Sequence, residues 1–96
     1  MARVRWSRRA STNLRELVRF LARNSPSAAP RATRVILDGV RQLRAFPASG
    51  RPIEDTIGDT RDLIAPFGDG GYVIRYVLSA DEVTIMAIKH TRQAGF

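Results

Sequence analysis

Apolar and polar positions change their period partway along this 96-residue chain. Arg3-Val4-Arg5-Trp6 alternates basic and apolar side chains, the period of two that belongs to a half-buried strand with Val4 and Trp6 inward. Ser7 is then a suitable N-cap for a helix running to about Asn24. Within it Leu14, Leu17, Val18 and Leu21 fall at i, i+3, i+4 and i+7, while Arg8, Arg15, Arg19 and Arg23 occupy the rest of the cylinder. Asn24-Ser25-Pro26 stops this helix and starts another, because Ser25 can cap and Pro26 suits the first helical position. The second helix buries Ala29, Ala32, Ile36, Val40 and Leu43 and ends at Phe46-Pro47. So short a link predicts an antiparallel helical hairpin.

Beyond residue 47 the pattern turns to strands. Ala48 to Thr60 is rich in Gly, Pro, Asp and Thr and reads as a loop with a short extended piece around Ile53. Arg61-Asp62-Leu63-Ile64-Ala65 predicts a short strand ended by Pro66, and Phe67-Gly68-Asp69-Gly70 a turn. Gly71 to Leu78 and Val83 to His90 are aromatic and β-branched runs joined by Ser79-Ala80-Asp81-Glu82, an antiparallel hairpin. The predicted class is therefore α+β: a strand, an antiparallel helical hairpin and a three-stranded antiparallel meander, in the order β-α-α-β-β-β, with the helices on one face of the sheet. In the last strand Val83, Ile85 and Ala87 alternate with Thr84, Met86 and Ile88, so both faces are apolar, which predicts a central, covered strand. Residues 1–96 make one domain, large enough for a single two-layer core and too small for an enclosed cofactor cavity. Any chemistry must lie on an open surface.

Charge sharpens this picture. The net charge of +7 comes from 15 arginines and Lys89 against nine acids, and it is lopsided. Residues 1–53 carry twelve arginines against Glu16 and Asp38, a net +10, whereas residues 54–96 carry four basic and seven acidic groups, a net −3. The helical layer is thus cationic and the sheet end mildly acidic, a distribution that draws nucleic acid, ribosomes or an acidic protein partner. Cysteine is absent, so disulfides and thiolate metal sites are excluded. With no apolar run near the roughly 20 residues that span a bilayer and no signal peptide, the expectation is a soluble, cytoplasmic protein without a membrane partner.

Candidate chemistry is sparse. His90 is the sole histidine, and with Arg61, Arg75, Lys89 and Arg92 it could form an acid-base set directed at a phosphate. A lone histidine at a strand end is more often a hydrogen-bonded structural group, and neither a second histidine nor a carboxylate pair supports it. Scattered acids and one histidine supply no metal site, and no cofactor is expected. Gly68-Asp69-Gly70-Gly71 precedes a strand instead of opening a helix, so it is a turn and not a phosphate cradle. Direct DNA binding lacks a helix-turn-helix spacing, and Tyr72 and Tyr76 on the hairpin strand suit sheet packing better than base stacking.

Several of these residues together resemble a known family. Phe46-Pro47-x-x-Gly50-Arg51-Pro52, Arg61-x-Leu63, Gly71-Tyr72-Val73-Ile74-x-Tyr76 and Val83-x-Ile85-x-x-Ile88-x-His90-x-x-Gln93 look like the RelE/ParE superfamily of bacterial toxins. The opening strand with Trp6 and the Leu14-x-x-Leu17-Val18-x-x-Leu21 helix are similar to its ParE branch. The resemblance covers essentially the whole chain. It implies a toxin of a type II toxin-antitoxin pair, neutralised by a cognate ParD-like antitoxin in a hetero-oligomeric complex, and acting on DNA gyrase to block replication.

The RelE branch instead cuts messenger RNA on the ribosome, and its pattern can be laid on this chain. Two strand lysines of that pattern fall on Asp62 and Ile64, the arginine after the hairpin tyrosine falls on Val73, and only Arg92 matches. The chain stops at Phe96 without the C-terminal helix and tyrosine of that branch. No catalytic residue is therefore expected, with Arg61, Arg75, Lys89, His90 and Arg92 as the alternative nuclease set; a non-toxic, antitoxin-binding homologue is the third possibility. A disordered acidic antitoxin tail is expected to fold on the helical layer through Arg8, Arg15, Arg19 and Arg23 with Leu14 and Leu17. Arg92 and Phe96 are the candidates for contact with the target.

Overall fold

The computed structural model describes residues 1–93 and 95–96. Strand β1 (Arg3–Trp6) leads into helices α1 (Arg8–Asn24) and α2 (Ala28–Ala45), followed by β2 (Arg51–Pro52), β3 (Asp59–Phe67), β4 (Gly70–Ser79) and β5 (Glu82–His90). The five strands form one sheet in the order β1-β5-β4-β3-β2. β1 runs parallel to β5, and every other pairing is antiparallel. Both helices lie on one face, and Ile36, Val40 and Leu43 of α2 meet Leu63, Ile74, Tyr76, Val83 and Ile85 of the sheet in the core. The predicted class is what the structure shows, with the predicted elements in their order and one short strand, β2, added before the meander; β5 is central, between β1 and β4. No helix among the described residues is long and apolar enough to cross a membrane.

Ser7 caps α1 as expected, its Oγ accepting from Ala10 N at 3.0 Å, and the same hydroxyl donates to Met86 O. The second helix differs from expectation. Ser25 closes α1, its N–H donating to Leu21 O at 2.7 Å, so Pro26 and Ser27 serve as the turn and α2 begins at Ala28 without a side-chain cap. Ser25 O accepts from Ala28 N at 2.8 Å across this turn, so the backbone of Ser25, and not its hydroxyl, meets the first N–H of α2.

β3 is longer than its sequence suggests and passes through Pro66, which pairs with Gly71. Thr60 O accepts from Ile53 N on the β2 side, so by alternation the backbone groups of Ile64 and Pro66 also point away from β4. Proline's missing donor thus falls on a free edge, where a strand tolerates it. The turn shrinks to Gly68 and Asp69, with Gly68 at φ 60. The loop before β3 holds a fourth sheet pairing, at Arg51–Pro52 instead of around Ile53. Tyr76 anchors this loop from the core: its hydroxyl donates to Pro47 O at 2.7 Å and accepts from Gly50 N at 2.9 Å. Any Cβ at Gly50 would come within 2.6 Å of the tyrosine ring, which is why glycine stands there.

β5 contains a bulge. Tyr76 pairs with Ile85 and Arg75 with Ala87, leaving Met86 without a partner. The extra residue shifts the alternation, so Ile88 joins Val83 and Ile85 on the helical side. The expectation of one strict alternation along this strand is corrected accordingly, and the outer face receives Thr84, Ala87 and Lys89.

Candidate partner-binding groove

β1 pairs only with Glu82–Ile85, so the second half of β5 has no strand beyond it. Its exposed backbone groups are met by side chains: Ser7 donates to Met86 O, Asn13 Oδ1 accepts from Ile88 N at 3.0 Å, and Gln93 Oε1 accepts from His90 N at 2.6 Å. Over this stretch α1 overhangs the sheet, and a groove of about 900 Å3 opens between α1, the start of α2, the β3–β4 turn and the end of β5. Leu17, Phe20, Leu21, Phe67, Tyr72 and Ile88 supply its apolar surface. Arg19, Arg23, Arg92 and His90 supply polar rim groups, with Glu16 as the acidic member.

The aromatic floor is ordered by its own contacts. The His90 ring meets Tyr72 edge-on at 5.5 Å, and Phe67 lies 6.1 Å from Tyr72 with the Arg31 guanidinium 5.6 Å from its centre. Burial at the base of the groove raises the Tyr72 hydroxyl above the usual tyrosine range. His90 Nδ1 accepts from Arg92 N at 3.1 Å, so in the neutral ring the proton resides on Nε2.

The predicted residues divide by position. Leu17, Arg19 and Arg23 line the groove, as does Arg92. Leu14 packs against the core instead, while Arg8 and Arg15 are exposed elsewhere on α1, Arg15 donating to Thr12 Oγ1. Phe20 was not a sequence candidate, yet it is 56% exposed beside the groove. Its signal in the sequence is an aromatic residue placed off the Leu14-Leu17-Val18-Leu21 stripe. Phe67, Tyr72 and Ile88 carried no such signal, since only tertiary structure brings them to one surface.

The alternative catalytic set is not brought together. Arg61 is held at the loop end, donating to Ala48 O, Gly50 O and Asp59. Arg75 lies on the outer sheet face in a bidentate pair with Asp62 at 2.8 and 2.9 Å, a bond that raises its already high pKa further. Lys89 shares that outer face, while His90 and Arg92 line the groove on the helical side. Phe96 also sits on the outer face, its ring 4.3 Å from the Arg75 guanidinium and 5.0 Å from Lys89 Nζ. The two expected target-contact residues, Arg92 and Phe96, therefore lie on opposite faces. Among the described residues no group of three His, Cys, Asp or Glu side chains is placed to hold a metal ion.

A helical hairpin packed on one face of a small sheet, with an open apolar groove rimmed by arginine, is the architecture of this chain. The sequence model of the family described as "ParE toxin of type II toxin-antitoxin system, parDE" matches residues 4–95, and the chain belongs to that family. The Y4kP protein of Sinorhizobium fredii is 37% identical over 95% of this chain and 90% of its own length. Toxin RelE3 of Caulobacter vibrioides is 36% identical over 95% of this chain and 96% of its own. The fold matches a solved structure of the chromosomal ParDE system from P. aeruginosa with a TM-score of 0.75, at 23% identity over 96% of this chain and 98% of that one.

Proposed function

We propose that this toxin acts as a ParE-type inhibitor of DNA gyrase in the bacterial cytoplasm, without cleaving RNA, and that a cognate ParD-like antitoxin neutralises it by filling the groove. The observation that carries the reading is the division of the charged groups between two faces and a loop. Cleavage at a phosphate needs cations and proton donors converging on one atom. Here Asp62 and Ile64 stand where the RelE pattern has lysines, and Asp62 ties up Arg75. The groove offers what an amphipathic helix needs, an apolar floor with arginines to pair with its carboxylates.

The test sets purified toxin against gyrase and against translating ribosomes. Supercoiling should stall and ribosome-bound message stay intact, with His90→Ala retaining most toxicity. Truncation after His90 should weaken toxicity, since it removes Arg92, the Gln93 cap and Phe96 together. Message cleavage abolished by His90→Ala would overturn the gyrase reading in favour of a nuclease. Neither activity, with antitoxin binding intact, would leave a non-toxic binding homologue.

A further inference from the structure

The loop at the far end of the sheet has the chemistry that the groove lacks. Ile57 is 95% exposed at its tip, and Glu54 and Asp55 beside it are exposed and join no ion pair among the described residues. The loop is held in shape: Thr56 Oγ1 donates to Ile53 O at 2.8 Å, Thr60 Oγ1 to Ile57 O at 2.9 Å, and Ile53 N to Thr60 O at 2.9 Å. Asp55 at φ 59 and Gly58 at φ 69 complete the bend. A preformed loop that presents one aliphatic side chain beside two carboxylates loses little conformational freedom on docking. In the groove, Arg19, Arg23 and Arg92 likewise join no ion pair among the described residues, against the single acid Glu16.

The two features cannot meet within one molecule. The loop precedes Asp59 and the groove begins at Phe67, the two ends of the nine-residue strand β3. At about 3.3 Å per residue this separates them by about 26 Å. We propose that the groove of one copy accepts the loop at residues 53–58 of a second copy, Ile57 entering the apolar floor while Glu54 and Asp55 pair with Arg19, Arg23 and Arg92. Each copy then offers one loop and one groove, a heterologous contact that propagates head to tail unless it closes into a ring. The association shares the groove with the antitoxin reading but involves the toxin alone, so its failure leaves that reading untouched.

Sedimentation velocity of the full chain over a wide concentration range, at low and at high salt, tests this. The chain should associate beyond a dimer as concentration rises, and less so in high salt, where exposed charges are screened. Ile57→Asp and Arg23→Glu each change an exposed side chain and should leave the circular dichroism spectrum and melting unchanged. Each should weaken self-association by about tenfold or more. Mixed together, the two variants retain one good groove and one good loop between them, and should form a one-to-one dimer that grows no further. A chain that stays monomeric at low salt, an Ile57→Asp variant that associates like the parent, or a mixture that forms no such dimer would overturn the proposal.

Discussion

Helices α1 and α2 are nearly equal in length, 17 and 18 residues, and both carry an amphipathic stripe, yet they are put to different use. α2 buries Ala29, Ala32, Ile36, Gly39, Val40 and Leu43, whereas α1 buries only Ala10. α2 lies over β3 and β4, and Gly39 allows a close approach, since a Cβ there would stand 2.9 Å from Ile74 Cδ1. α1 lies over β5 where β1 has already ended, so Leu17 and Leu21 are half-buried and Phe20 hangs free. The same periodicity thus builds a core in one helix and a docking surface in the other. The difference lies in how much sheet is underneath.

The comparison breaks first on stability. Leu43→Ala removes a fully buried side chain and should cost about 2 to 5 kcal/mol in a denaturant titration, with Leu17→Ala costing distinctly less. Equal losses would make α1 as much a core helix as α2. Phe20→Ala should reverse the pattern, leaving stability within about 0.5 kcal/mol and weakening antitoxin binding by about 2 kcal/mol, roughly thirtyfold in Kd by titration calorimetry. Smaller still is the loop anchor beneath α2's end: Tyr76→Phe strands the Gly50 N–H and the Pro47 carbonyl and should cost about 1 to 2 kcal/mol.

The mildest effect is alkaline. Burial raises the hydroxyls of Tyr72 and Tyr76 above 10.0, the second against an opposing bond from Gly50. The folded chain therefore holds these protons when the unfolded chain begins to lose them. Stability is fully retained below about pH 10 and declines as the pH rises through the elevated folded values. Denaturant midpoints compared between about pH 8 and pH 11 should show the fall, shallower in Tyr76→Phe.

Elements with a long, clear period were legible in the sequence, including both helices, the final hairpin and the buried stripe of α2. Boundaries set by pairing were not. Pro66 reads as a strand terminator unless one knows that its missing N–H faces an unpaired edge, and Pro26 reads as a helix start unless Ser25 is seen closing the preceding helix. The groove was legible only where α1 contributes to it. Arg8 and Arg15 look equivalent to Arg19 and Arg23 along the chain, and only the end of β1 decides which pair stands over open sheet. Phe67, Tyr72 and Ile88 come from three strands, and no local pattern joins them.

The unpaired Met86 fixes the phase of everything after it in β5. Were the bulge lost and Met86 taken into the ladder, strict alternation would turn Ile88 and His90 outward and present Ala87 and Lys89 to the helices. A cation and a methyl group would then replace an isoleucine and a histidine in the groove, although no groove residue had been substituted. For this chain a single-codon deletion of Met86 regularises the strand and leaves the recognition surface in place, so a screen for escape from antitoxin should find that deletion still captured and its escape variants among substitutions in the groove.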